Sequence, residues 1–370
     1  MTDFRAAHAA ASSWQEAADS CLAQLGPVPP ALNVGFLYVT DRFAGDLAEI
    51  VAFLKEETGV RHWTGTVGVG VCGSGQEYHD EPAISLLLAG FPEEQFRMIP
   101  PLTEDSAPLL RKHGDWLAGH DFHFGIVHGD PRQMQLPALL QSLAEATHGF
   151  LVGGLASSRH GYALIADGTA QAMLAGILFS PEVAVATAVS QGCAPFGAIH
   201  EITECQRNIA VRIDNRPALE VLREEMGDVL ARNLARAAQN IGAALHVRGS
   251  DTGDFLVRNL MGVDENNGLV AIGEMLEAGQ LLQFCRRDPD SARADLRRTL
   301  RDLKARAPKA RGALYHACVG RGPHLFGPDS GELRMLREEL GDLPLAGLYC
   351  NGEIAANRLY GYTGVLTLFL

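Results

Sequence analysis

Short apolar runs alternate with polar, glycine-bearing loops along this chain. Residues 33–39 form one apolar run, and residues 66–71 and 83–89 form two more. Between the first two runs, residues 44–57 carry apolar side chains at the i, i+3, i+4 and i+7 positions of a helix. This pattern predicts a strand, a helix and two further strands, the first three of which form a β-α-β unit.

The same order of runs occurs twice more. Parallel strands joined by a helix place their carboxyl ends at one edge, where ligands of open α/β sheets bind. The sequence therefore predicts an α/β fold of repeated β-α-β units, with mixed, largely parallel sheets covered by helices and two related domains packed together. The repeated strand, helix, strand and strand segments are 124–127, 137–146, 150–152 and 172–179, then 313–319, 332–340, 346–349 and 365–370.

The segment between the second and third copies has a different character. The runs 183–189 and 209–213 favour strands, whereas residues 218–246, rich in Leu, Ala and Arg, favour a helix with breaks near Gly227 and Gly242. A domain boundary is therefore expected near residue 215. The resulting division is an N-terminal helix in residues 1–30, a first domain in 31–215 and a second domain in 216–370.

Composition narrows the class of protein. The net charge of -13 disfavours a non-specific grip on nucleic acid or on an anionic membrane. No apolar run approaches the roughly 20 residues that span a bilayer. Seven cysteines without a C-x-x-C pair fit reduced thiols. These features predict a soluble, cytoplasmic protein that neither binds nucleic acid nor inserts into a membrane.

Familiar cofactor and metal motifs are absent or out of context. Residues 68–73 match G-x-G-x-x-G, but no helix opens after them, so dinucleotide binding is not expected. His120, His123 and His128 are interpreted as histidines of a polar surface loop rather than metal ligands, because glycines interrupt their segment. No cofactor and no metal are expected.

The loops that close the predicted strands are the candidate ligand site. Cys318 and Cys350 end neighbouring strands, and the adjacent Arg321 could lower the pKa of a thiol. Arg321 and Glu353 could pair with each other or hold the two charges of an amino acid. The cysteines could equally be small buried residues. The predicted ligand-binding residues are Cys72, Gly73, Ser74, Gly154, Ser157, Gln191, Cys193, Cys318, Arg321, Gly322, Cys350, Asn351 and Glu353.

Several of these segments resemble the FIST proteins (F-box and intracellular signal transduction). The resemblance runs from about residue 31 to the end and divides at 215/216 into FIST N-terminal and FIST C-terminal domains. Asp214-Asn215 stands where the family has aspartate-glycine. The matching segments are 189–197, 208–219, 286–288, 318–322 and 347–353, with Tyr362-Thr363.

The resemblance implies a bacterial sensory protein that binds a small ligand, such as an amino acid, and acts in signal transduction through an unidentified signalling protein. No enzyme activity is established for the family, so the resemblance favours a protein that is not an enzyme without deciding the point. Two alternatives remain open on the residues alone. One is an enzyme acting on a small metabolite with Cys318 or Cys350 as nucleophile, and the other is a scaffold that docks a protein partner.

Overall fold

A computed structural model describes residues 3–231, 241–247 and 255–370. The chain forms two compact units, one of residues 1–190 and 295–370 and the other of residues 191–294. The boundary predicted at 215/216 falls inside the second unit and does not coincide with this division.

The first unit contains three repeats of one pattern: an outer strand, a helix, a strand, a second helix, a strand, a hairpin and a last strand. The first repeat consists of β1 (Phe4–Ala10), α1 (Trp14–Leu25), β2 (Val34–Thr40), α2 (Leu47–Thr58), β3 (His62–Gly68), β4 (Gly70–Gly73), β5 (Gln76–His79) and β6 (Ala83–Ala89). The predicted helical N-terminal segment is thus a strand followed by a helix.

The second repeat has the same order of elements. It consists of β7 (Phe96–Leu102), α3 (Ala107–Ala118), β8 (His123–Gly129), α4 (Leu136–Thr147), β9 (Gly149–Leu155), β10 (Leu164–Ala166), β11 (Thr169–Ala170) and β12 (Leu174–Phe179).

The third repeat is interrupted, because its outer strand β13 (Val185–Gln191) is followed by the second unit. That unit contains β14 (Cys193–Gln206), β15 (Ile209–Ile213), β16 (Arg216–Pro217), α5 (Ala218–Ala231), β17 (Ile241–His246), β18 (Phe255–Asp264), β19 (Leu269–Ile272) and β20 (Gln280–Arg287). The helix predicted over 218–246 is therefore confirmed for residues 218–231, with the expected break at Gly227, where φ is 70°. It is wrong for 241–246, and residues 232–240 lie outside the described part of the chain.

The chain then completes the third repeat. Its elements are α6 (Pro289–Arg306), β21 (Gly312–Cys318), the short α7 (Pro323–Phe326), α8 (Gly331–Leu340), β22 (Leu345–Cys350), β23 (Glu353–Ala355), β24 (Arg358–Tyr360) and β25 (Thr363–Phe369).

Each repeat builds a six-stranded mixed sheet around one parallel pair. The parallel pairs are β2–β3, β8–β9 and β21–β22, as the β-α-β pattern predicts. The strands on both sides of each pair run antiparallel to it. The fold is thus mixed α/β with mixed sheets, and the expectation of largely parallel sheets is not confirmed.

Every sheet receives its hairpin from another repeat. Hairpin β4–β5 of the first repeat pairs with β22 of the third, β10–β11 of the second pairs with β3 of the first, and β23–β24 of the third pairs with β9 of the second. A polar side chain near each hairpin turn accepts a backbone N–H from the strand it joins, in the pairs Ser74 with Leu345 at 3.1 Å, Asp167 with Trp63 at 3.0 Å and Asn357 with Leu151 at 2.8 Å.

Helices cover these sheets through apolar stripes. In α2, Leu47, Ile50, Val51 and Leu54 recur at helical spacing and are buried against the first sheet. Gly153 in β9 shows how closely the parallel strands approach each other. Its φ is 142°, and a Cβ there would lie 1.9 Å from the carbonyl oxygen of Val127, so a larger residue would strain the pair.

In the described part of the second unit, seven strands lie in the order β14-β20-β17-β18-β19-β15-β16. An additional pairing of β14 with β15 closes the sheet on itself. Its interior is filled by buried apolar side chains of the strands and of α5, among them Leu219, Leu222, Ile272 and Phe284. In the described part of the chain, no helix has the length and apolar character that a membrane crossing needs.

Candidate functional site

The carboxyl ends of β3, β9 and β22, the second strands of the three parallel pairs, meet at Ser157. Its hydroxyl donates to the Tyr349 carbonyl at 2.5 Å and accepts from the Val69 N–H at 2.9 Å, and its own N–H donates to the Val67 carbonyl at 3.2 Å. Ser157 follows β9, whereas its partners lie at the ends of β3 and β22. The strand ends of the first unit therefore converge.

Five of the predicted residues gather beside this point, and we name Gly154, Cys318, Arg321, Cys350 and Glu353 the strand-end cluster. Cys318 faces Cys350 in register across the parallel pair. Gly154 pairs with Glu353, and a Cβ on Gly154 would lie 2.1 Å from the Cys350 sulfur. Glycine is thus required at position 154 for the third-repeat loop to pack against β9.

The carboxyl group of Glu353 is completely buried, and only one of its two oxygens has a hydrogen-bond partner among the described residues. Its Oε2 accepts hydrogen bonds from the Thr363 N–H at 3.1 Å and the Thr363 hydroxyl at 2.8 Å. Its Oε1 has no hydrogen-bond partner among the described residues. Burial raises the pKa of Glu353 to about 8, whereas the hydrogen bonds with Thr363, the charge of Arg321 and a hydrogen bond with the Cys318 thiol act to lower it. At neutral pH this carboxyl group is mostly protonated.

Both thiols of the cluster are held in the protonated form. Burial, and secondarily the Glu353 carboxyl group, raises the pKa of Cys318 and of Cys350 above the ordinary thiol range. Arg321 lowers the pKa of Cys318, as expected, but its effect is smaller than that of burial. A cysteine nucleophile needs a thiolate. The expected lowering of the thiol pKa by Arg321 therefore does not support Cys318 or Cys350 as a nucleophile.

Arg321 is fully buried, and its guanidinium is already occupied. It lies 2.6 Å from the carboxylate of Glu332, which also accepts the Tyr315 hydroxyl at 2.6 Å. A further guanidinium nitrogen donates to the Ser190 carbonyl at 3.2 Å, and the Gly322 N–H donates to Glu332 at 3.1 Å. The carboxylate hydrogen-bonded to Arg321 is thus Glu332, not Glu353.

Residues 72–74 do not join the cluster. Hairpin β4–β5 runs antiparallel to β22, so it carries these residues back towards the start of that strand. Cys72 is buried opposite Gly347, and Gly73 opposite Ala346. The Ser74 hydroxyl donates to the Leu343 carbonyl at 3.0 Å. The exchange of hairpins between repeats separates them from Glu353.

The remaining predicted residues have separate positions. Asn351 is exposed, and its N–H donates to the Leu155 carbonyl at 3.2 Å. Gly322 has a φ of 58°, which turns the chain into α7. Gln191 and Cys193 belong to the second compact unit, where Cys193 pairs with Arg287.

A second buried polar group was not predicted from the sequence. Tyr38, His128 and His316 come from β2, β8 and β21, the first strand of each parallel pair, and all three are completely buried. The Tyr38 hydroxyl lies 2.9 Å from Nε2 of His316 and 3.1 Å from Nε2 of His128. Burial lowers the pKa of His316 to about 3 and that of His128 well below its usual range.

The interpretation of His128 as a surface-loop residue is therefore wrong, and His123 is buried as well. A signal was present in the sequence: Tyr38, His128 and His316 stand at the fifth or sixth position of a mostly apolar seven-residue strand in each repeat. Its meaning depends on the meeting of the three strands, which single strands do not reveal.

Comparison with known proteins places the chain among relatives of similar length. An uncharacterized protein of Mycobacterium bovis is 30% identical over 96% of this chain and 94% of its own. An uncharacterized protein of Mycobacterium tuberculosis is 31% identical over 96% of this chain and 95% of its own. Among solved structures, PurLQS from Thermotoga maritima aligns at 10% identity with a TM-score of 0.26, over 100% of this chain and 72% of that one. That likeness is too low to carry an argument.

Family models match nearly the whole chain. The FIST N domain matches residues 33–216, and the FIST C domain matches residues 218–356. The chain therefore belongs to the FIST family.

Proposed function

We propose that this protein is a sensory protein of intracellular signal transduction that binds a small ligand carrying a protonated amino group, such as an amino acid, at the strand-end cluster. FIST domains are associated with sensory roles in signal transduction. We also propose the class of ligand, its binding site and a downstream signalling protein that recognises the ligand-bound form.

The observation that carries the proposal is the free oxygen of Glu353. A buried polar atom without a partner is costly, so each one calls for an explanation, and a bound ligand that supplies the missing partner is one. An ammonium group supplies both the missing donor and the positive charge that a buried carboxylate lacks. Arg321 could not serve a ligand carboxylate in this arrangement, because Glu332 occupies it.

This site has a distinctive dependence on pH. An ammonium ligand binds the charged carboxylate, yet the Glu353 carboxyl group has a pKa of about 8 and is mostly protonated at neutral pH. Binding must therefore release a proton from Glu353. The affinity should rise by about tenfold per pH unit below pH 8 and level off above it, provided that the ligand amine stays charged.

The experiment is a thermal-shift screen over amino acids and small amines at pH 7, followed by calorimetry of any hit in buffers of different ionisation enthalpy. A ligand at about 100 times its Kd stabilises the folded state by about 2.7 kcal/mol. We expect a stabilising hit, net proton release on binding, and loss of both in Glu353→Gln. Glu338→Gln, which changes an exposed carboxyl group in α8, is the matched control and should bind normally.

Two results would count against the proposal. One is the absence of any hit across the screen. The other is a hit whose affinity is the same in Glu353→Gln and in the unchanged protein, because the ligand would then bind elsewhere.

A further inference from the structure

An open cleft lies on the second repeat, beside α3. It has a volume of about 480 Å³, which falls within the range of roughly 300–1,000 Å³ common for small-molecule sites. Its lining residues are Arg97, Leu110, Arg111, Lys112, His113, Gly114, Asp115 and Trp116. None of them belongs to the strand-end cluster.

The cleft follows a break in the helix. His113 has φ −133° and ψ 17°, outside the helical range, and its Nε2 lies 3.2 Å from the Met98 carbonyl oxygen. The next residue is Gly114, where a Cβ would meet nothing within 4 Å. At Gly114 the backbone therefore borders open space in the cleft.

The lining is cationic although the whole protein is anionic. Arg97, Arg111 and Lys112 face one acidic side chain, Asp115, in the lining. No ion pair of any of the three cations occurs among the described residues, in contrast with most other described arginines. Burial lowers the pKa of His113, and the positive charges of Lys112 and Arg97 lower it further. The hydrogen bond to the Met98 carbonyl acts in the opposite direction, but the pKa is lowered overall.

One cation is already fixed in position. Arg97 donates through Nη1 to the carbonyls of Glu93 at 2.7 Å and Phe96 at 2.6 Å. Its guanidinium stacks on Trp116 at 4.9 Å, and the indole N–H is in turn held by the Glu94 carbonyl at 2.7 Å. The remaining donors of Arg97, Nε and Nη2, have no hydrogen-bond partner in the described ranges, so the guanidinium is positioned with donors to spare.

We propose that this cleft binds the phosphate group of a small organic phosphate, held by Arg97, Arg111 and Lys112. Three positively charged side chains and one carboxylate give the lining a net charge of about +2, which matches the charge of a phosphate dianion. A cleft of about 480 Å³ is much larger than a phosphate ion, and Leu110, 41% exposed, offers apolar contact to an organic part. A long polyanion such as nucleic acid is disfavoured by the net charge of -13, whereas a small anion meets only the local field.

Calorimetry at low ionic strength with AMP, inorganic phosphate and adenosine tests the proposal on the full-length protein. AMP should bind, inorganic phosphate should bind more weakly, and adenosine should not bind. Arg111→Ala/Lys112→Ala should weaken AMP binding by about tenfold or more, the usual effect of losing a charge-assisted contact. Added salt should weaken it as well.

Two further variants separate charge from shape and from general effects. Gly114→Leu keeps every cation but fills the open space, and it too should reduce AMP binding. Arg42→Ala/Lys309→Ala removes two exposed cations elsewhere and should leave binding unchanged. Glu353→Gln should also bind AMP normally, so a failure of the amine site and a failure of this cleft can be told apart.

The proposal is overturned if neither AMP nor phosphate binds in the millimolar range, or if AMP binds equally to the Arg111→Ala/Lys112→Ala variant. Equal binding of adenosine and AMP would also overturn it, since charge would then play no part. Equal binding of inorganic phosphate and AMP would show that the cleft does not recognise the organic part of the ligand. The proposal of an organic phosphate would then be wrong, and the cleft would be a site for simple anions.

Discussion

The Tyr38 hydroxyl lies 2.9 Å from Nε2 of His316, and both side chains are completely buried although 278 positions separate them in the chain. Tyr38 also bonds to His128 at 3.1 Å, so one hydroxyl joins all three repeats. It can donate to one imidazole and accept from the other. Whichever tautomers are present, Nδ1 of His316 has no partner among the described residues.

We expect Tyr38→Phe to destabilise the protein by about 2–6 kcal/mol, because it leaves two buried imidazole nitrogens without a partner at about 1–3 kcal/mol each. Urea unfolding measures the change. Tyr78→Phe is the matched control: that hydroxyl bonds at 2.7 Å to the partly buried His8, and its loss should cost less. Equal effects of the two changes would show that the three-repeat network contributes little.

The stability of the fold should fall in acid because of His316. The pKa of His316 is about 3 in the folded state and 6.5 in the unfolded state. Between pH 3 and pH 6.5 the unfolded chain therefore binds a proton that the folded chain does not bind. The resulting contribution is present above pH 6.5 and is lost at about 1.4 kcal/mol per pH unit down to pH 3. His316→Asn should therefore show a flatter acid limb in urea unfolding between pH 4 and pH 7. An unchanged slope would contradict the assignment.

Glu353 should have the opposite effect, lowering the stability of the fold as the pH rises. Its pKa is about 8 when folded and 4.5 when unfolded, so the folded state holds a proton that the unfolded state has lost. The contribution is fully present below pH 4.5 and disappears as the pH rises to 8, at about 1.4 kcal/mol per unit. We expect Glu353→Gln to gain stability relative to the unchanged protein as the pH rises from 5 to 8. Parallel melting curves across this range would argue against a buried, protonated carboxyl group.

Glu332→Gln should destabilise strongly, because it leaves the fully buried guanidinium of Arg321 without its counter-charge. Breaking one partner of a buried pair costs about 3–5 kcal/mol, whereas an exposed pair is worth about 0–1 kcal/mol. The exposed pair of Arg337 and Asp342, also 2.6 Å apart, supplies the control Asp342→Asn. In urea unfolding, Arg321→Met/Glu332→Gln should recover part of the loss. No recovery would indicate that packing or the bond to Tyr315 matters more than the charge.

Much of the architecture was predictable because it is local. Short apolar runs separated by amphipathic helices are sufficient to predict the three β-α-β units, and the three parallel pairs confirm them. The strand ends at Cys318 and Cys350 were correctly placed side by side, since parallel strands fix the register of neighbouring ends.

The errors arise where pairing is non-local. Residues 4–10 form a strand because β6 offers a partner in register, whereas the surrounding alanines favour helix in isolation. Residues 241–246 likewise form a strand between β18 and β20. Backbone hydrogen bonds with distant segments outweigh local helix propensity, and no periodicity within the segment reports them.

The sequence by itself determined the repeated units, the membership of the FIST family and the loops from which a site could be built. Tertiary structure decided which loops meet. Hairpins exchanged between repeats carry Ser74 away from Glu353 and bring Gly154 against it, and three distant strands enclose one tyrosine and two histidines. The physical reason is that burial and the pairing of polar groups depend on contacts between repeats, whereas hydrophobic periodicity records only the face that each element turns inward.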